Sequence, residues 1–590
     1  MSDPLPTASG STTPPPNAKA SPLSPARIVL VGTLLLTVLT VFTFPPRYDT
    51  NDDAAMNAIA AGQLLISKPD EHLLYTNVAI GLPLSWLYSA APRVPWYGLY
   101  QLVTLGVSAL VFAYVFIRIN PTWKQVALTF IHFGVVVVPC LALIQFTKTA
   151  FLAVEAGAFL LLGPLFVGGK WPRWTTVAGM VLILLGAAIR FESFLLAALL
   201  MGPLGLAAFI RRPPGCRWGR IAVIVAAGGA GAILLNYANQ EYYARSPGWE
   251  KFHEFNALFG EFVNYHAVEY TPQTKPAFDA VGWDELDFRM LMNWFYVDRD
   301  KYSEEKLRRI LTEAPRQPPA PASSRTPDRT PGIGPPSYDG VGLWVVLLPA
   351  AVLTGGSRSW LLPFGLFALG VLFALIIAGS FQYLPARVWF CLFCPAVAAA
   401  VLFAEGEFLP RTEVTAIAQK LAVVAAVALL IWQAVQRWEE WQARAEIQQL
   451  AEDALRSLDS KPDQLYVIWA AGFPYEQVLR PFGTSDSARS MKCTGLLTAL
   501  QTPILTNRLD EFGIENIDRA LYQRKDVYLI AHPLHVELFR EYVKRRYGEN
   551  LEVRTIRPAV LWKENLLVGT VVQLTPAKAP EPKLPPKRKP

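Results

Sequence analysis

Apolar runs of roughly membrane-spanning length recur along this chain, and they limit its fold more than any other feature. They fall at 28–44, 97–117, 125–144, 150–168, 175–190, 192–210, 221–237, 341–353, 360–380, 387–404 and 417–435. A helix of about 18 to 20 such residues matches the hydrocarbon core of a bilayer. Lipid admits only segments whose backbone groups are satisfied internally, so the pattern predicts a polytopic α-helical membrane protein of about eleven spans. The composition agrees: of 590 residues 52% are hydrophobic and only 17% charged, and the mean hydropathy is +0.27.

The segments between and beyond these runs divide the chain further. Residues 1–26 are rich in Pro, Ser and Thr and read as a disordered leader. The run at 28–44 has no small-residue cleavage site and stops at Pro45-Pro46, so it reads as a retained first helix. The membrane module then extends over 27–436, with a first outer loop at 45–96 and a large outer loop at 238–340. In the large loop, Phe252, Phe255, Leu258, Phe259 and Phe262 recur at helical spacing, and eight prolines within 315–336 mark a flexible tether. Residues 437–575 read as a small soluble α/β domain, with strands at 465–469, 503–506, 527–530, 551–556 and 566–574 and a helix at 533–547. A basic, Pro-rich tail closes the chain at 576–590.

Basic residues in alternate loops fix an orientation, because they collect on the cytoplasmic side. Arg118 and Lys124, Lys170 and Arg173, the cluster Arg211, Arg212, Arg217 and Arg220, then Arg358 and Arg411 all fall in loops of one parity. The N-terminus is therefore expected inside an inner or plasma membrane, and the loops at 45–96 and 238–340 and the C-terminal domain outside. The net charge of +7 serves this orientation; there is no basic stripe with interleaved aromatics to bind nucleic acid.

Asn51-Asp52-Asp53 follows directly on the first span. Helix capping is one reason for acids there: they would satisfy free amides at the start of the helix suggested by Met56, Ile59, Ala60 and Leu64, and the helix dipole would lower their pKa. Chemistry on a membrane-anchored substrate is the other. Charges at span ends are candidates for function, and Lys148, Arg190, Glu192 and Arg387 are expected at the same outer level as the two aspartates. Cations there can clamp a lipid phosphate while an acid takes a hydroxyl proton; snorkelling anchors are the bland alternative. Glu155 lies inside a span and reads as a buried structural partner.

Other chemistries find little support. Cys391-Leu-Phe-Cys394 has half a metal motif on a membrane helix and reads as packing, the six histidines form no cluster, and His532-Pro-Leu-His535 stands without an acidic partner. There is no phosphate-binding loop, dinucleotide fingerprint or nucleophile elbow, so no cofactor is expected, and a divalent-metal requirement is not readable.

One span from an inside N-terminus, an outer loop opening on paired acids, further spans and an outer soluble domain together resemble the GT-C superfamily of polyprenyl-phosphate-dependent glycosyltransferases. The chain also resembles a bacterial branch with an Asn-Asp-Asp loop, an aromatic Phe252-His253-Glu254-Phe255-Asn256 segment and a Trp283-Asp284-Glu285-Leu286-Asp287 segment; that second likeness brings no activity with it. The resemblance implies a cell-envelope transferase in which Asp52 and Asp53 are catalytic and a sugar moves from a polyprenyl-phosphate donor to a glycan, lipid or protein acceptor. Topology adds Lys148, Arg190 and Arg387 for the donor phosphate. Asn51, Glu192, Asn256, Trp283, Asp284 and Asp287 are expected to support the site or cap the acceptor. Asp52 is assigned the base and Asp53 the orienting role. A transporter or flippase for a polar or lipid-linked solute is the alternative; the absence of an internal repeat and the position of the charges at span ends speak against it.

Overall fold

A computed structural model describes residues 24–167, 171–211, 217–263, 268–315, 361–381, 385–402, 428, 435, 438–458, 460–483, 489–495, 497–563 and 565–577. Nine of the eleven expected spans fall on its helices: α1 (Pro25–Thr43), α4 (Trp96–Ile119), α5 and α6 (Trp123–His132 and Val138–Ala142, joined by a π-helical turn), α7 (Phe146–Val167), α8 (Arg173–Ile189), α9 (Phe191–Arg211), α10 (Trp218–Arg245), and the helices Leu361–Phe381 and Ala386–Leu402. Six of these stretches are long and apolar enough to cross a membrane, and α8 and the last two contribute shorter apolar helices. The spans at 341–353 and 417–435, the tether, the leader, the tail, and Lys170, Arg212, Arg358 and Arg411 lie outside the described residues, apart from a few positions at segment edges.

The first loop is more structured than its sequence suggests. It forms β1 (Arg47–Tyr48), α2 (Asn51–Ala61) and an apolar α3 (Val78–Ala90). β1 pairs in parallel with β2 (Leu143–Ile144), the two residues just before α7, which fastens the end of the first span to the start of another. α2 ends at Gly62, whose φ of +66° and closeness to Lys68 backbone leave no room for a side chain.

The large loop supplies four short helices, α11 (Phe252–Val263), α12 (Lys275–Asp279), α13 (Glu285–Met292) and α14 (Glu304–Glu313). The C-terminal part builds a five-stranded sheet in the order β4-β3-β5-β9-β6, from β3 (Leu465–Ile468), β4 (Lys492–Thr494), β5 (Val527–Ala531), β6 (Leu551–Arg557) and β9 (Thr570–Pro576), with a β7–β8 hairpin (Val560–Trp562, Asn565–Val568) beside it. The segment 503–506, expected as a strand, is the start of the helix Pro503–Glu511. Thr502 caps that helix, Pro503 fits its first turn, and Ile504, Leu505, Arg508 and Leu509 share its buried face. The expected strand at 566–574 is split between β8 and β9, and β4 went unpredicted.

The central strands are buried on both faces, as parallel strands are. On β3, Tyr466 and Ile468 join the large core that includes the membrane helices and first loop, while Leu465 and Val467 join a second core with α11–α14. The large loop and the C-terminal sheet therefore share one core, and the sheet is the middle layer. Phe295 packs tilted against Trp469 with ring centroids 4.3 Å apart, His535 bonds to Asn293, and Arg546 pairs with Asp298 at 2.7 Å. Under the sheet, Leu64 carbonyl accepts from Cys493 N and Arg508, and Gly98 at the start of α4 would place a Cβ 2.4 Å from Pro481 carbonyl. First loop, large loop and sheet thus lie together on one side of the helix bundle.

Candidate functional site

Asp52 and Asp53 occupy the first turn of α2, but neither caps it. Thr50 holds the N-cap position without a side-chain cap bond, and its hydroxyl instead donates to Asp53 Oδ2 at 3.3 Å. Asp53 is fully buried and accepts from Tyr97 Oη (3.0 Å) and Gln101 Nε2 (2.8 Å), one turn apart on α4, and from Phe146 backbone N–H (3.2 and 3.3 Å) at the start of α7. Gln101 is itself fixed, since its Oε1 accepts from Thr149 at 3.0 Å. One carboxylate therefore locks the first loop to two helices.

The dipole argument predicts a lowered pKa for both acids, and Asp53 departs from it. Burial raises its pKa, the hydrogen bonds from Gln101, Tyr97 and Phe146 lower it, the charge of Asp52 raises it further, and burial wins: the carboxyl is pushed up to about 7. Asp52 differs in environment. It is half-buried, and its carboxylate makes no hydrogen bond or ion pair with the described residues. Asn51, also half-buried, begins the helix beside it.

Two of the three expected phosphate cations converge here. Lys148, in the first turn of α7, is buried and pairs with Asp49 at 3.0 Å, with its ammonium 5.7 Å from the Phe390 ring. Arg190, at the end of α8, lies over the Phe146 ring at 4.8 Å; its side chain stays 24% exposed, with a loose 3.5 Å contact to Glu192, which is 74% exposed. Phe146 thus carries Asp53 on its N–H and Arg190 on its ring. Arg387 is half-buried, one helical turn before Phe390, and forms no ion pair with the described residues.

The large-loop candidates do other work. Asp284 and Asp287 form a capping box at α13, with Asp284 accepting from Leu286 and Asp287 N–H and Asp287 from Asp284 N–H. Asp284 also pairs with Arg545 at 3.0 Å, and Asp287 with Lys301. Trp283 is buried and donates to Lys301 carbonyl at 2.9 Å. Their core is the second one, and no hydrogen bond or ion pair among the described residues links them to the Asp53 cluster. Asn256 is half-buried on α11, and its side chain makes no hydrogen bond with those residues. Glu155 is buried in α7 with neither oxygen hydrogen-bonded, so the described residues do not supply the expected partner.

Asp70, Glu71 and His72 place ligand-type atoms within 4.8 Å of one another, a donor set compatible with a divalent cation. Both His72 ring nitrogens are engaged, by Asp70 at 2.8 Å and Ser246 Oγ at 3.0 Å, Glu71 accepts from Tyr242 at 2.8 Å, and Trp249 stacks on the imidazole. In this arrangement the trio pins the first loop to the end of α10.

No family model matches the chain, and no curated protein does. Among solved structures the fold is similar to that of ArnT from Cupriavidus metallidurans bound to undecaprenyl phosphate, with 11% identity, 92% of this chain and 97% of that chain covered, and a TM-score of 0.35. The reading of the site rests on this chain's own residues. Among these, the sequence reading missed Tyr97, Gln101, Phe146 and Asp49. The signal for the first two was a pair of polar groups four residues apart in the first turns of an apolar span; a backbone donor such as Phe146 N–H leaves no signal at all.

Proposed function

We propose that this chain is a membrane glycosyltransferase that moves a sugar from a polyprenyl-phosphate donor to an acceptor on the outer face of the membrane. The observation that carries the proposal is the contrast between adjacent acids: Asp53 buried and held by four donor groups, Asp52 half-buried and without a partner among the described residues. Asp52 is the acceptor-side base and Asp53 its positioning residue. An ionised Asp53 makes proton acceptance beside it more favourable. Arg190 and Arg387, whose guanidinium groups are not held in tight ion pairs, take the donor phosphate and stabilise it as leaving group, while Lys148 holds Asp49 and adds positive potential. Displacement at the sugar's anomeric carbon with the acceptor deprotonated by Asp52 gives inversion.

The test is sugar transfer from a polyprenyl-phosphate donor by purified protein, with Asp52→Asn and Asp53→Asn alongside wild type. Loss of a general base predicts a fall of about 10²–10⁴-fold for Asp52→Asn. Asp53→Asn is expected to retain measurable transfer and to lose the rise in rate through pH about 7 that ionisation of Asp53 gives the wild type. Full transfer by Asp52→Asn would sink the assignment. The alternative, a transporter or flippase, draws support from Glu155, an acid buried within a span with no hydrogen bond to the described residues; solute movement into vesicles that Glu155→Gln abolishes, with no transfer by wild type, would favour it.

A further inference from the structure

We infer that a cavity of about 320 Å³ beside β1 binds the phosphodiester headgroup of a membrane phospholipid. Its walls include Pro46, Arg47, Trp441, Gln448, Glu452 and Arg480. Trp441, Gln448 and Glu452 lie along one face of the helix over 438–456, and the volume is in the range of small-molecule sites, about 300–1,000 Å³.

These walls hold donors without acceptors. Arg47 is only 9% exposed, yet its guanidinium makes no hydrogen bond or ion pair with the described residues; its contact is the Trp441 ring face at 5.3 Å. Trp441 Nε1 and Arg480 Nε are both buried and make no hydrogen bond with the described residues. The one acid among the lining residues, Glu452, is already engaged by Arg480 at 3.2 Å and Gln448 at 2.8 Å. A desolvated cation is costly unless an anion completes it. Burial, with Arg444 and Arg480 nearby, pushes the Arg47 pKa down to about 10 even against the opposing charge of Glu452.

The position says which anion. α1 ends at Thr43, and Phe44 packs edge-on against Trp438 at 6.1 Å and Trp441 at 6.3 Å, an aromatic cluster of the kind that sits at the headgroup level. Trp438 is 43% exposed there. A phosphodiester entering at this level puts its two free oxygens within reach of Arg47 and leaves its acyl chains beside these rings in the bilayer. The cavity is distinct from the Asp53 cluster. Side chains alternate along a strand, so Tyr48 packs against Tyr97 at 5.9 Å on the Asp53 side while Arg47 projects to the other. The inference does not depend on the transferase reading.

The experiment is native mass spectrometry of the detergent-solubilised full chain titrated separately with phosphatidylglycerol, diacylglycerol and inorganic phosphate. Wild type is expected to retain one phosphatidylglycerol, with affinity about tenfold weaker in Arg47→Gln, the weight of one charge-assisted hydrogen bond. Trp441→Leu removes the ring face that holds the Arg47 guanidinium and is expected to bind about threefold more weakly; it also serves as the readout should Arg47→Gln fail to fold. Equal retention by wild type and the folded variants would overturn the site, as would equal binding of diacylglycerol, or binding of inorganic phosphate without phosphatidylglycerol.

Discussion

Two loops of this molecule open a helix on acidic residues, and they use them in opposite ways. In the large loop, Asp284 and Asp287 turn inward on their own helix, cap it, and neutralise their charge against Arg545 and Lys301. In the first loop, Thr50 takes the cap position, Asp53 reaches away from its helix to α4 and α7, and Asp52 is left without a partner among the described residues. Local amides satisfy one pair of carboxylates; distant helices and an open face receive the other. The comparison teaches that an acid at a helix start says little about function until its acceptor positions are counted. A box that closes on itself is a structural device, whereas Asp53 binds three segments together and Asp52 beside it makes no hydrogen bond or ion pair with the described residues.

The sharpest way to break this contrast is to remove the acids in turn. Asp53→Ala leaves Tyr97, Gln101 and Phe146 N–H buried without an acceptor, at about 1–3 kcal/mol each, so a fall of several kcal/mol in stability is expected by thermal unfolding in detergent. Stability indistinguishable from wild type would show that the lock on α4 and α7 carries no weight. A second effect comes from protons. Because the folded pKa of Asp53 lies above its unfolded value, the folded state binds the proton more tightly, so its contribution to stability is complete below about pH 4 and is lost as pH rises to about 7. Melting temperatures measured across that window should fall more steeply in wild type than in Asp53→Asn; parallel curves would refute the burial argument. The smallest effect belongs to the other loop: Asp284→Ala removes a cap worth about 1 kcal/mol and should leave sugar transfer unchanged. A loss of transfer with an intact fold would return the large loop to the active site.

The legible and illegible parts of the chain differ for physical reasons. Hydropathy wrote nine helices plainly, because a bilayer imposes a length and an apolar composition on each. The helix Pro533–Tyr547 could be read to the residue, since Pro533 sits in its first turn and Gly548 closes it in the left-handed region. Residues 503–506 misled because a short apolar run has no period of its own; the cap at Thr502 was the better signal. Lys148 and Arg190 could be named from their places at span ends, but their different fates, one buried on Asp49 and one partly exposed over Phe146, depend on contacts made far along the chain.

By itself the sequence determined that this is a chain of membrane helices with acids and cations gathered at their ends, because burying apolar length in lipid and keeping charge near water are local demands. Only the tertiary structure decided which aspartate is locked and which is free, and that the large loop and the C-terminal sheet share one core over the first loop. It alone placed a buried Arg47 beside a cavity, with no hydrogen bond or ion pair to the described residues. Those outcomes depend on which groups lose water together and which acceptors lie within hydrogen-bond reach, and sequence spacing carries no record of either.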